Sequence, residues 1–515
     1  MLIIFVCEDD LPTPNSRAMS NSFNKSRQPV GARDSNRPLN LLVIMADEHR
    51  RDAMGCMGHA HVLTPHLDAL AARGSLFTNA YTPSPICVSA RAALATGTYA
   101  HRSGHWDSAA PYAGTPRSWM HAVRQTGSDM VSIGKLHFRS GKDDNGFSQE
   151  ILPMHVLNGV GWTVGLLRQS PPPFDAAAEL AADVGAGSSS YTDYDLAIAD
   201  SAEKWLAKSE RQTKPWAAFV SFVSPHYPLR APPRFLDLYR PGEMDTPIAY
   251  ARRERPTHPE LQSLARYWDY DRHFDDRTMR EAKAAYFGLV TFVDDCVGRV
   301  LSALQSTGQN DNTLVVYTSD HGEMLGDHGF WTKSVMYEAA SGVPLIVAGP
   351  GIPVGRIVRT ASSLLDVAAT AAEVFQAPVP SDQGALPGLS LRHLATQADD
   401  PDRTVMSEYH DGGSSTGFFM IRWQQWKYVH YVNLTPQVFN LSKDPQELLD
   451  VASSDDPVVV AALAEGRRRL GAICDPDAVN ARAFSDQLRR IEELGGAQAC
   501  GSTAFNHTPV PTEVN

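Results

Sequence analysis

Cysteine is scarce and scattered, with six in 515 residues at positions 7, 56, 87, 296, 474 and 500. No two of them make the close spacing of a zinc ribbon or a redox pair, so a reducing compartment is the simplest account. Long apolar runs are also missing: no stretch reaches the roughly 20 residues that a bilayer requires. The start, Met1-Leu-Ile-Ile-Phe-Val-Cys-Glu-Asp-Asp, has no basic region before its short apolar run and has acids straight after it. That makes a poor secretory signal. A cytoplasmic protein with no membrane partner is expected. Basic charge is the third shortage, since 46 Lys+Arg against 58 Asp+Glu give a net charge of −12. Phosphate-backbone affinity needs a clustered basic surface, so a general nucleic-acid binder is excluded.

What remains is an ordinary globular composition, 43% hydrophobic and 20% charged. A chain this long can bury a large core and, at about 100–200 residues per domain, holds two or three units. Residues 1–37 are Ser-, Asn- and Arg-rich and read as a disordered tail. From residue 38 to 400 strands and helices alternate. The expected fold class is α/β: a large, mostly parallel sheet flanked by helices, with a smaller C-terminal α+β subdomain at 401–500 containing an antiparallel sheet. Alternating segments Tyr428–Val432 and Gln437–Leu441 suggest that hairpin, and residues 501–515 read as a flexible tail.

Asn40-Leu41-Leu42-Val43-Ile44-Met45 is a continuous apolar run, as for a strand buried on both faces. It ends in Asp47-Glu48. Thr64-Pro65 supplies an N-cap and first-turn proline for a helix through Leu67 and Leu70. Ser84-Pro85 opens a second helix with Cys87 at its start, where unpaired N–H groups and the positive end of the dipole favour an anion; Arg91 lies four residues on, on the same face. Three further strands follow: Asp129–Ile133 runs into Lys135 and His137, Ala217–Val223 into His226, and Leu314–Thr318 into Asp320 and His321. Residues 141–190, rich in Gly, Pro and Ser, read as surface excursions, and residues 230–277 carry no usable periodicity.

Four strands thus each end in chemically capable groups, and ligands of open α/β sheets bind at carboxyl ends of strands. Asp47, Glu48, Asp320 and His321 offer carboxylates and one imidazole, which suits a hard divalent cation better than zinc. Oxygen ligands favour Ca²⁺; the imidazole leaves Mn²⁺ open. Lys135, His137, His226 and Lys333 form a cationic ring suited to a tetrahedral oxyanion and to protonating a leaving oxygen. The expected substrate is a small-molecule ester of a strong oxyacid.

These residues resemble the formylglycine-dependent sulfatases of the alkaline phosphatase superfamily. Cys87-Val88-Ser89-Ala90-Arg91 resembles the Cys-x-Pro-Ser-Arg signature, Gly134-Lys135-Leu136-His137 the Gly-Lys-x-His block, and Pro225-His226-Tyr227-Pro228 the Pro-His-x-Pro block. Ser319-Asp320-His321-Gly322-Glu323 with Lys333 is similar to the metal and lysine block, and Phe439–Leu448 to the C-terminal signature. The resemblance implies that a formylglycine-generating enzyme oxidises Cys87 and that the hydrated aldehyde attacks sulfur. Arg91 and Lys135 would hold the diol and the metal-bound oxygens, His137 would take the proton that releases sulfate, and His226 with Lys333 would bind the sulfate and help protonate the leaving oxygen. It also implies a homo-oligomer. Three departures stand out: Ser89 replaces proline, Glu48 stands where relatives carry Asp or Gln, and His321 replaces an amide. The last leans toward the choline-sulfatase and phosphonate monoester hydrolase branches. Glu408, with Trp106 beside Asp107, would offer a carboxylate and an aromatic face to a quaternary ammonium. A phosphonate monoester or phosphodiester hydrolase, and a non-catalytic anion binder with unmodified Cys87, are the alternatives.

Overall fold

The computed structural model of the chain describes residues 39–173, 175–209, 214–378, 385–502 and 508–511. The tail expected at 1–37 lies outside the described residues. The main sheet has eight strands, in the order Arg356–Val358, Ser75–Phe77, Leu345–Ala348, Thr313–Ser319, Asn40–Asp47, Trp216–Pro225, Asp129–Lys135, Gln149–Met154. The five from Thr313–Ser319 to Gln149–Met154 run parallel. Leu345–Ala348 pairs antiparallel with both of its neighbours. The large, mostly parallel sheet read from the sequence is therefore present, with antiparallel pairing confined to one side.

The central strand shows why its run is continuously apolar. Leu42, Ile44 and Ala46 pack into the core on one face with the long helix Asp276–Ser306, while Leu41, Val43 and Met45 pack on the other with helices Cys87–Thr96, Trp119–Gln125 and Leu365–Phe375. Side chains alternate faces along a strand, so helices on both sides require apolar residues at every position. All four sequence-predicted strand ends lie side by side, because Thr313–Ser319, Asn40–Asp47, Trp216–Pro225 and Asp129–Lys135 are consecutive in the sheet. A separate four-stranded antiparallel sheet, Val405–Tyr409, Phe418–Trp423, Trp426–Tyr431 and Gln437–Asn440, carries the expected hairpin.

Three expectations need correction. Within 141–190, Gln149–Met154 is the edge strand of the main sheet, with Leu152 and Met154 buried; the surrounding Gly and Pro hid a short Ile-Leu-Pro-Met run. In the expected flexible tail, the Thr508 carbonyl accepts a hydrogen bond from the Tyr191 hydroxyl at 2.9 Å, and Val510 packs against the core. Finally, Thr64 makes no side-chain cap to the helix Pro65–Ala72. Its hydroxyl donates to Asp68 and accepts from the Gly55 N–H instead.

The open N–H groups of that helix, on His66 and Leu67, donate to the carboxylate of Asp294 at 3.1 and 2.8 Å. Asp294 sits on the long helix and is 1% exposed, so one carboxylate caps a neighbouring helix from across the core. Replacing it with alanine orphans two buried donors. Asp294→Ala is expected to lower the unfolding free energy by about 1–2 kcal/mol, the usual cost of losing a cap, and Asp294→Asn by less; urea midpoints at fixed slope measure both.

Candidate active site

Cys87 is the first residue of the helix Cys87–Thr96, every residue of which is buried. Ile86 precedes it in extended conformation, so the thiol stands where the chain turns from loop into helix. Its Sγ lies 3.0 Å from His321 Nε2 and 3.6 Å from Asp47 Oδ1. The His321 Nδ1 is 2.9 Å from the Gly322 carbonyl, which can only accept, so Nδ1 carries the proton and Nε2 points a lone pair at the sulfur. Arg91, one helical turn on, joins the two acids: its Nε donates to Asp320 Oδ2 at 2.7 Å and its Nη2 to Asp47 Oδ2 at 2.9 Å. Lys135 Nζ reaches the same Asp47 oxygen at 2.7 Å. Burial alone would raise the Asp47 carboxyl, but Lys135 and Arg91 hold it well below the usual range. Burial and the Asp47 charge push the Cys87 thiol up, so it keeps its proton at neutral pH.

A second cluster adjoins the first. Lys333 Nζ donates to Glu48 Oε2 at 2.9 Å and lies 3.0 Å from His226 Nε2. His226 Nδ1 faces the Tyr227 carbonyl at 2.7 Å, which fixes the proton on Nδ1 and makes Nε2 the acceptor from Lys333. Burial and then Lys333 hold the His226 imidazole well below its ordinary range. Burial would lower the Lys333 ammonium, but the acids that face it, Glu48 and Asp47, hold it above its usual range. Burial pushes Glu48 up to about 8 despite Lys333, and Glu323 adds to the rise. His137 lines the cavity, and neither ring nitrogen has a hydrogen-bond partner among the described residues; burial, Lys135 and Arg91 keep it neutral.

Asp47, Cys87, Asp320 and His321 offer ligand atoms all within 4.8 Å of one another, and Asp47, Glu48 and His226 make a second such group. Two carboxylates and an imidazole lone pair, all buried, fit a divalent cation. Glu48 is turned away from the first group toward Lys333, and its backbone N–H donates to Asp320 Oδ1 at 3.1 Å.

The sulfatase family profile matches residues 39–377, and that of the N-sulphoglucosamine sulphohydrolase C-terminal region matches 326–469. The choline-sulfatase of Rhizobium meliloti (strain 1021) is 31% identical over 462 residues, 88% of this chain and 90% of that protein. The chain belongs to the sulfatase family. It is a hydrolase acting on sulfuric ester bonds, which removes the non-catalytic alternative. The arylsulfatase K of Danio rerio is 30% identical to this sulfatase over 440 residues, 80% of each chain. The phosphonate monoester hydrolase of Agrobacterium radiobacter has the same fold, at a TM-score of 0.67 and 24% identity over 86% of this chain and 96% of that one.

The sulfatase brings together ten of the residues singled out from its sequence: Asp47, Glu48, Cys87, Arg91, Lys135, His137, His226, Asp320, His321 and Lys333. The other three do not line the cavity at Cys87. Glu408 is fully buried between His101 and His410, which hold it at about 2 against the effect of burial. Asp107 accepts from Gln487 and from the Ala109 N–H, and Trp106 donates to Asp486 along a different groove. Their oxygens and rings are spent on structure, so the ammonium subsite expected from them is corrected.

The cavity, of about 120 Å³, has walls that sequence reading missed: Trp162, Trp268, Tyr270, Tyr191, Tyr227 and Leu180. Trp162 and Trp268 stack at 5.9 Å, and Trp268 and Tyr270 at 6.2 Å. The Tyr-Trp-Asp-Tyr run at 267–270 was the available signal. Glu323 was quoted but given no role. Its Oε1 accepts from the Thr332 N–H at 2.6 Å and the Leu325 N–H at 2.8 Å. Thr332 and Ser334, on either side of Lys333, have φ of 62° and 78°, and a β-branched residue there is strained by about 1–3 kcal/mol. Glu323 therefore holds the bend that presents Lys333. Glu323→Ala should cost about 1–3 kcal/mol of stability by orphaning two buried N–H groups, and Glu323→Gln, which keeps an acceptor oxygen, clearly less; chemical denaturation distinguishes them.

Proposed function

We propose that this sulfatase hydrolyses a sulfate monoester of a small alcohol whose organic part is apolar or aromatic, in the cytoplasm, at the Cys87 cavity. The observation that carries the reading is the division of that cavity, with Lys135, His137, His226 and Lys333 at its base around Cys87 and aromatic rings on its walls. Outside the acids already paired at the base, no Asp or Glu lines it among the described residues. A polyhydroxylated sugar would leave its hydroxyls facing ring carbons, and a quaternary ammonium would find ring faces but no carboxylate. The five described cysteines are free thiols, which fits a reducing compartment.

Asp47, Asp320 and His321 would hold the cation, Ca²⁺ favoured and Mn²⁺ admitted by the imidazole. When present, the cation would supply Lewis acidity and a formylglycine made from Cys87 the attacking oxygen. Around these the chain's own groups have distinct work. Arg91 and Lys135 fix Oδ2 of the two acids, with Asp47 Oδ1 facing residue 87. His137, neutral and unpartnered, can accept a proton from residue 87. Lys333 stays protonated and is the proton source for the leaving oxygen, while neutral His226 accepts its hydrogen bond and aims it. The aromatic walls exclude water from the leaving group.

The single test is parallel turnover of an aryl sulfate, choline sulfate and an aryl phosphonate monoester. The aryl sulfate should give the highest kcat/KM. A higher value for the phosphonate would favour a phosphonate monoester hydrolase, a reading supported by the shared fold with the Agrobacterium enzyme. Trp162→Ala should lower kcat/KM for the aryl sulfate about tenfold or more, since losing an aromatic wall is worth about 1.5–3 kcal/mol, with Cys87→Ala abolishing turnover altogether. Because both imidazoles are depressed, they stay neutral as pH falls through about 6.5, the ordinary value. Turnover should therefore persist there; an acid limb centred at or above that pH would remove His137 as the base.

A further inference from the structure

The four ligand atoms nearest residue 87 do not form the all-oxygen-and-imidazole site expected of a hard cation while Cys87 is a thiol. Sγ stands 3.0 Å from His321 Nε2 and 3.6 Å from Asp47 Oδ1, and Nε2 stands 3.9 Å from Asp47 Oδ1 and 3.8 Å from Asp320 Oδ1. Bond lengths of about 2.3 Å for Zn–S and about 2.0–2.2 Å for Zn–N and Zn–O give tetrahedral edges of about 3.4–3.6 Å. The S···O separation matches those edges, while the S···N separation is shorter and the two N···O separations longer, each by about half an ångström. The tautomer is already set, because Nδ1–H is used by the Gly322 carbonyl and the Nε2 lone pair faces the sulfur. Arg91 and Lys135 occupy Oδ2 of the two acids; Asp47 Oδ1 faces the sulfur, while Asp320 Oδ1 is held in place by the backbone N–H groups of Glu48 and His321 at 3.1 and 3.0 Å. Such orienting partners are what a metal site needs around its ligands.

We propose that the unconverted, thiol form of this sulfatase is a zinc site, with Cys87 Sγ, His321 Nε2, Asp47 and Asp320 as a tetrahedral ligand set, and that enzymatic conversion of residue 87 to the aldehyde switches the site to a hard cation. That conversion is a two-electron oxidation by O2 that expels the sulfur as sulfide, while an external thiol supplies the remaining two electrons. Zinc binding replaces the thiol proton, which leaves to solvent, and forms a Zn–S bond; no electrons are exchanged. Conversion of Cys87 removes the one soft ligand, and the remaining carboxylates and imidazole no longer favour zinc over calcium or manganese. Ser89, in place of proline in the modification signature, gives the thiol form a reason to persist. The inference rests on the cation position proposed above, and its test separates the two.

The protein is prepared with and without co-expressed formylglycine-generating enzyme, and the thiol fraction at residue 87 is read from peptide masses. Each preparation is equilibrated with equimolar Zn²⁺, Ca²⁺ and Mn²⁺, and bound metal is quantified. Zinc content should track the thiol fraction, with calcium or manganese tracking the remainder. Co²⁺ added to the thiol form should give a thiolate-to-cobalt charge-transfer band that Cys87→Ala lacks. Zinc affinity should fall about tenfold or more in Cys87→Ala, at least the loss seen for supporting residues of metal sites. Equal zinc affinity in the thiol form and Cys87→Ala, or no such cobalt band, would overturn the inference and leave the proposed function standing. Zinc held through the thiol, with no hard cation in the converted form, would overturn the switch and also remove the cation from the proposed function.

Discussion

The site depends on one buried guanidinium. Arg91, 1% exposed, ties the helix that begins at Cys87 to four neighbouring strands at once: to Asp320 at 2.7 Å, and to Asp47, the Ser221 hydroxyl and the Lys135 carbonyl at 2.9 Å. Burying an arginine between two aspartates is not in itself a route to stability, since desolvation offsets most of the attraction. Breaking such a pair from one side is costly, because the partner charges stay behind in a low dielectric. Arg91 thus acts as a positional constraint. With its fork on Oδ2 of both acids, Asp47 Oδ1 is directed at residue 87 and Asp320 Oδ1 is fixed beside it by the Glu48 and His321 N–H groups.

The same constraint explains which parts of the site were legible in the sequence. Asp47, Lys135, His226 and Asp320 each follow an apolar strand, and the ends of parallel strands gather on one edge of a sheet. Periodicity alone brought them together, and Cys87 with Arg91 followed from helical spacing. The acid and aromatics at Glu408, Trp106 and Asp107 had no such geometric warrant. Glu408 lies within the strand Val405–Tyr409 of the second sheet, and its carboxylate is used up by His101 and His410. A carboxylate next to aromatic residues in sequence says nothing about which cavity either faces.

The missed half is the organic pocket, and the reason is physical. Trp162 immediately precedes one short 3-10 turn, Tyr270 opens another, and Trp268 is the last residue of the helix Pro259–Trp268, all outside the sheet, so no single period links the three. Their mutual stacking is a tertiary fact, set by Pro- and Gly-rich chain that carries no pattern. Glu323 was missed for a related reason: its partners are backbone N–H groups at Leu325 and Thr332, and a side chain that satisfies backbone leaves no trace in residue spacing. The edge strand Gln149–Met154 was hidden likewise, its buried positions outnumbered by turn-forming neighbours.

A division of labour between the two halves follows. The oxyanion half is rigid by construction, because each charged group is paired with another whose position is fixed by a strand or helix end, and its chemistry is set before any substrate arrives. The aromatic half rests on loops and can vary without disturbing it. Residue 87 belongs to the rigid half, yet its side-chain atom is the one element there not dictated by the fold. Asp47, Asp320 and His321 surround that atom, so replacing its sulfur by oxygen would change the hardness of the donor set without touching the groups that hold the other donors.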